Sequence, residues 1–144
     1  MNKLDELSRR ICDHLGLDIL EYKFEDLGIE DSRLYLKEEY IGINIKYKDN
    51  YIECAKCLTH EYRHVFQFYY VNLMNDNLSQ LWKEEMAVMK TGTQSGYLGQ
   101  SLELDAFAFT KYYLDKFENI KTTNCIEGYD EVVDAYINKY GYVL

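Results

Sequence analysis

Two histidines four residues apart, with a glutamate directly after the first, stand at His60-Glu61-Tyr62-Arg63-His64. On an α-helix, residues at i and i+4 lie on one face about one turn apart, so both imidazoles can reach a single metal ion. Glu61 lies about 100° round from His60, beside such an ion rather than on it. A carboxylate there can take a proton from a metal-bound water. Two neutral histidines, an adjacent carboxylate and one open coordination position make up a hydrolytic zinc site.

The surrounding sequence supplies the helix that this spacing needs. Residues 51–74 contain no glycine or proline, and Ile52, Ala55, Leu58, Tyr62, Val65, Phe66, Tyr69 and Leu73 recur at helical intervals. A catalytic zinc takes three protein ligands. The one remaining histidine, His14, ends a separate amphipathic stretch, where a cation near a helix C-terminus is favourable in its own right. The third ligand is therefore expected to be a carboxylate or a cysteine. Glu103-Leu104-Asp105-Ala106-Phe107-Ala108-Phe109 offers two acids, among small residues that let a neighbouring helix approach. On a helix the two acids sit about 200° apart, so both cannot face one metal equally. The acid that is not a ligand is expected at the helix start or as an acceptor for the far nitrogen of a ligating histidine.

The pairing of His60-Glu61-x-x-His64 with Glu103-x-Asp105-Ala106-x-x-Phe109 resembles the gluzincin pattern. It is most similar to the ImmA/IrrE-like metallopeptidases of phages and mobile elements, and to minimal single-domain gluzincins. There an H-E-x-x-H helix is followed by a glutamate helix written roughly E-x-E-A-[ND]-x-F-A. The resemblance covers about residues 57–110 and implies a zincin-like α+β fold, a Zn2+ cofactor and a peptide or protein substrate. Glu103 falls on the ligand glutamate, so the implied ligand set is His60, His64 and Glu103. Asp105 falls on the next fixed acid and is expected to sit behind the ligands. Phe107 stands where the family has Asn or Asp, and Thr110 where it has Ala.

Other residues near these motifs have duller readings beside the chemical ones. Cys54-Ala55-Lys56-Cys57 is a C-x-x-C inside the same helical stretch, sharing a face with Glu61 and His64. A redox pair normally opens a helix after a strand, so two small buried thiols are expected, with Cys57 as a spare ligand candidate. Arg63 projects away from the histidines, as a surface or salt-bridged residue. Tyr97, in a glycine-bearing segment upstream of Glu103, is placed where its phenol could stabilise the oxyanion of a tetrahedral intermediate.

The elements that must hold these residues follow from periodicity. Residues 2–15 predict a helix carrying Leu4, Leu7, Ile11 and Leu15, stopped by Gly16. Residues 19–24, 33–37 and 40–47 read as short strands, the last with Ile41, Ile43, Ile45 and Tyr47 on one side. With turns at 28–32 and 38–39, they predict a small antiparallel sheet of about three strands. Residues 48–50 form a turn and a cap for the H-E-x-x-H helix. A third helix over 78–90 is expected to bury Leu81, Trp82, Met86 and Met89, and residues 91–100 to form a surface loop. Residues 101–117 predict the glutamate helix, with Leu102, Ala106, Phe109, Tyr113 and Phe117. Residues 130–140 predict the last helix, with Val133, Ala135, Tyr136 and Ile137. No repeat or boundary divides residues 1–144, which read as a single α+β domain.

Composition narrows the function. The net charge is −9, and no basic cluster exceeds Arg9-Arg10, which argues against direct nucleic-acid binding. No stretch approaches the roughly 20 consecutive apolar residues of a membrane span, and the first residues lack the apolar core of a signal peptide. A cytoplasmic protein with reduced cysteines is expected. The sequence thus points to a zinc metallopeptidase in which Glu61 is the general base, with the sheet edge, placed at residues 40–47, holding the substrate as an added strand. The alternative is a catalytically inactive metal-binding module of the same fold, acting in regulation or protein interaction.

Overall fold

Asn2 starts the fold by capping its first helix. In the computed structural model, which describes residues 2–90, 101–122 and 128–140, its side chain accepts from the Asp5 N–H while Asp5 reaches back to the Asn2 N–H. Helix α1 spans Lys3–Leu15 and ends at Gly16 with φ 71°, a left-handed stop that glycine adopts without steric cost. Leu7 and Ile11 on its inner face are fully buried.

Three strands follow: β1 (Glu21–Glu25), β2 (Ser32–Tyr35) and β3 (Tyr40–Asn44). Their order is β1-β3-β2, with β1 parallel and β2 antiparallel to β3. The sheet is therefore mixed, where the sequence led us to expect an antiparallel one. Alternation locates strands but leaves pairing open. Here β3 takes the centre, where Ile41 and Ile43 are shielded completely. This also corrects the expected sheet edge: residues 40–44 are central, and β2 has a strand on one side only among the described residues.

Asn44 ends β3 sooner than the alternation predicted. Its amide donates to the carbonyls of Gly28 and Glu30 and accepts from the Lys46 N–H. The chain turns there into a short 3-10 helix, Ile45–Tyr47, and Ile45 becomes exposed. Gly42 faces the other side of the sheet. A Cβ at this position would come within 3.0 Å of both Glu25 Oε2 and Tyr35 Cε2.

Helix α2 spans Tyr51–Leu73 and is capped by Asn50, whose side chain accepts from the Glu53 N–H. Its first four turns bury Cys54, Ala55, Leu58, Tyr62 and Val65 against α1 and the sheet. Toward its C-terminus the apolar pattern outlasts the core, and Tyr69 and Leu73 are exposed. Helix α3 (Asn77–Lys90) buries Trp82, but Leu81 is exposed and Met86 only half-buried. The Met89 side chain lies outside the described residues, as does the loop expected at 91–100.

Helix α4 (Ser101–Glu118) is held at its start by α3: Glu85 accepts from the Leu102 N–H at 3.1 Å and from the Ser101 hydroxyl. An acid at these unpaired N–H groups caps the helix and suits its dipole. Ala106 and Ala108 are fully buried, small enough for α4 to lie close along α2. Phe117 at the far end is exposed. Helix α5 (Tyr129–Tyr140) covers α4 with Val133 and Tyr136, while Ala135 faces outward.

Candidate metal centre

The helical spacing of His60 and His64 brings their Nε2 atoms to 3.1 Å from each other. Helix α4 brings Glu103 onto the same point, with Oε2 at 3.2 Å from His60 Nε2 and Oε1 at 2.9 Å from His64 Nε2. These three residues form a group that could hold a metal ion. A tetrahedral zinc with bonds of about 2.0–2.1 Å separates its ligand atoms by roughly 3.3 Å. The donor set and its spacing therefore fit such an ion with little adjustment. The histidines keep 13% and 19% of their side-chain surface exposed against 4% for Glu103, so the group opens to solvent on the histidine side.

Charge in this group is strongly coupled. Burial alone would lower the His64 pKa, but the hydrogen bond and charge of Glu103, with Glu61 nearby, carry it up to about 9. Burial likewise opposes ionisation of Glu103, and hydrogen bonds from His60 and His64 outweigh it, holding the carboxyl well below the usual carboxylate range. Without a metal, the site is thus an imidazolium–carboxylate pair. A cation bound there would replace that proton.

Glu61 is directed into a cleft of about 780 Å³. His60, Cys57 and Lys56 line it from α2, Phe107 and Thr110 from α4, and residues 29–33 from β2 and the turn before it. The Ser32 hydroxyl donates to Glu61 Oε2 at 2.7 Å. That bond fixes the carboxylate beside the histidines and joins α2 to the strand with a free edge. Phe107 lies against the His60 ring, with centroids 4.6 Å apart, and so forms an apolar wall where the resemblance implied a polar partner.

Asp105 is buried in the interior. Its carboxylate accepts from Arg63 Nε at 2.6 Å and Nη2 at 3.1 Å, from Gln67 Nε2 at 2.8 Å and from the Tyr136 hydroxyl at 3.0 Å. Gln67 connects it to the site, since the Gln67 Oε1 lies 2.8 Å from His64 Nδ1. Arg63 is salt-bridged, as one of its two readings had it, but it is fully buried rather than at the surface. Its guanidinium packs against the rings of Phe66 and Phe109, at 4.4 and 4.7 Å from their centroids. A buried ion pair needs such bidentate geometry and further partners to offset its desolvation.

The other described candidates have partners of their own outside the metal group. His14 packs at tilted and edge-on angles among Phe109, Tyr113 and Phe117. Cys54 and Cys57 are buried free thiols, donating to the carbonyls of Tyr47 and Asp31. Tyr62 closes a pair of hydrogen bonds with the backbone of Leu20, tying α2 to the segment that enters β1. Tyr97 and Cys125 lie outside the described residues.

Sequence reasoning missed two site residues. Gln67 carried a usable signal, because it stands three residues after His64 and i, i+3 neighbours meet on a helix. Ser32 carried none, since only the folding of β2 against α2 brings it to Glu61. No protein-family model matches the chain, and no curated protein or solved structure matches it either.

Proposed function

We propose that this chain is a zinc-dependent metallopeptidase with a zincin-like domain. The observation that carries the reading is the convergence of His60, His64 and Glu103 on one point, with Glu61 beside it at the wall of an open cleft. His60, His64 and Glu103 would hold the ion, and zinc bound there supplies Lewis acidity and lowers the pKa of a coordinated water toward about 7. Glu61, oriented by Ser32, accepts the proton that water loses on attacking a peptide carbonyl, and returns it to the leaving amine nitrogen. A general base is needed for hydrolysis and for nothing in a purely structural metal site, which favours catalysis over a binding module. The outer edge of β2, unpaired among the described residues and bordering the cleft at Ser32 and Arg33, supplies backbone groups for an extended peptide to pair with.

The test is a comparison of the parent with Glu61→Gln. Elemental analysis should find close to one zinc per chain in both. Only the parent should cleave members of a broad peptide library. Equal cleavage by both proteins would overturn the mechanism. Zinc in both and cleavage by neither would assign the chain to a binding role.

A further inference from the structure

Gln67 is set apart from the other polar residues around the centre because its amide can stand in only one orientation. Its Nε2 lies 2.8 Å from the Leu102 carbonyl and 2.8 Å from Asp105 Oδ2. Both are acceptors, so the amide nitrogen must face them, and the amide oxygen must face His64. An inverted amide would set an oxygen against two oxygens in a buried place, and Gln67 is 1% exposed. Asp105 cannot turn away either, because Arg63 and Tyr136 hold its carboxylate.

From this we infer that Gln67 is a positioning residue for the metal centre, fixing the ring orientation and tautomer of His64. The Gln67 oxygen at 2.8 Å from His64 Nδ1 accepts a hydrogen bond only if that nitrogen carries the proton. Once a cation has displaced the Nε2 proton, the lone pair of that nitrogen points to where the other two donors converge. Ligating histidines usually gain this support from a carboxylate or carbonyl acceptor. Here a neutral amide from the same helix supplies it, one turn further along, and is itself aimed by a buried ion pair linking α2, α4 and α5. The inference rests on the metal-site part of the proposed function and is independent of peptide hydrolysis.

The test uses the full chain, zinc alone as the probe, and the variants Gln67→Met and Gln67→Glu. Methionine keeps the approximate shape and provides no comparable acceptor. It should weaken zinc binding by about 10- to 100-fold. Glutamate keeps an oxygen facing His64 Nδ1, and carrying a proton on its other oxygen it can still donate to Asp105 Oδ2, replacing one of the amide's two donations, so it should recover most of that affinity. A residue acting only as a strut between Leu102 and Asp105 would predict the opposite, with both variants equally impaired. Nitrogen-15 NMR of the zinc-loaded parent gives a readout independent of either variant's folding. His64 should show a slowly exchanging proton on Nδ1, with Nε2 bearing the metal. A proton on Nε2 would overturn the inference, as would zinc affinity unchanged in Gln67→Met. If the parent itself binds no zinc, the metal-site reading fails first.

Discussion

Glu103 and Asp105 stand two residues apart and act at different distances from the centre. Glu103 faces both histidines, whereas Asp105 neutralises Arg63 in the interior. Alanine at each position should therefore fail differently. Glu103→Ala should lose most zinc affinity, measured by competition with a chelator, because it removes a donor. Asp105→Ala should lose less affinity but more stability, on the order of 3–5 kcal/mol by chemical denaturation, as expected when one member of a buried pair is removed. The reverse order in zinc affinity would show that the ligand was misassigned. Cys57 offers a pH test at the same scale. Burial pushes its thiol up to about 12, whereas an unfolded cysteine titrates near ~8.5. Only the thiolate reacts with alkylating reagents. Mass spectrometry of the native protein should find Cys57 nearly unmodified at pH 8, with rapid modification in denaturant. The same proton bears on stability. The folded state keeps this proton to higher pH than the unfolded chain, so the contribution is present at neutral pH and is lost as pH rises from about 8.5 through about 12.

Helix α2 carries both histidines and Glu61, yet the Glu61 carboxylate takes a hydrogen bond from a strand. Ser32 at the start of β2 donates to Glu61 Oε2, so the position of β2 against α2 enters the geometry of the cleft. Ser32→Ala should leave zinc content unchanged, because Ser32 is not a donor to the metal group. It should reduce peptide hydrolysis by less than Glu61→Gln does, since general bases typically contribute about 10²–10⁴-fold. Activity in Ser32→Ala equal to the parent's would show that α2 holds Glu61 unaided. The same strand owes its place to β3, whose Gly42 lets Glu25 and Tyr35 close over the outer face of the sheet.

A metal at this centre would join α2 to α4, two elements that start 50 residues apart in the chain. A ligand bound only by the folded state stabilises it by about 2.7 kcal/mol at a free concentration 100 times its dissociation constant. Zinc should therefore raise the melting temperature of the parent, and a chelator should reverse the rise. His64→Ala should show almost no such shift. A rise of the same size in His64→Ala would place the stabilising metal elsewhere. No helix among the described residues is long and apolar enough to cross a membrane.

The metal-facing half of the centre was legible in the sequence because it is local. His60, Glu61 and His64 are related by helix geometry alone, and residues 51–74 leave no alternative to a helix. The caps at Asn2, Gly16 and Asn50 were readable for the same reason, since each acts on backbone groups within a few residues. Glu103 needed the resemblance as well, because spacing offered two acids and only the rotation of α4 against α2 separates them. The tertiary structure decided whatever depends on long-range pairing. It inserted β3 between β1 and β2, so that among the described residues β2 rather than residues 40–47 forms the sheet edge beside the cleft. It ended β3 at Asn44, whose amide found carbonyls of the preceding turn. It also drew Arg63 into the interior, because Asp105, Phe66 and Phe109 together form an environment that a charge can enter. Alternation and amphipathicity fix which side of an element is apolar. They do not determine which elements meet, and that choice placed Ser32 on Glu61 and Gln67 between His64 and a buried ion pair.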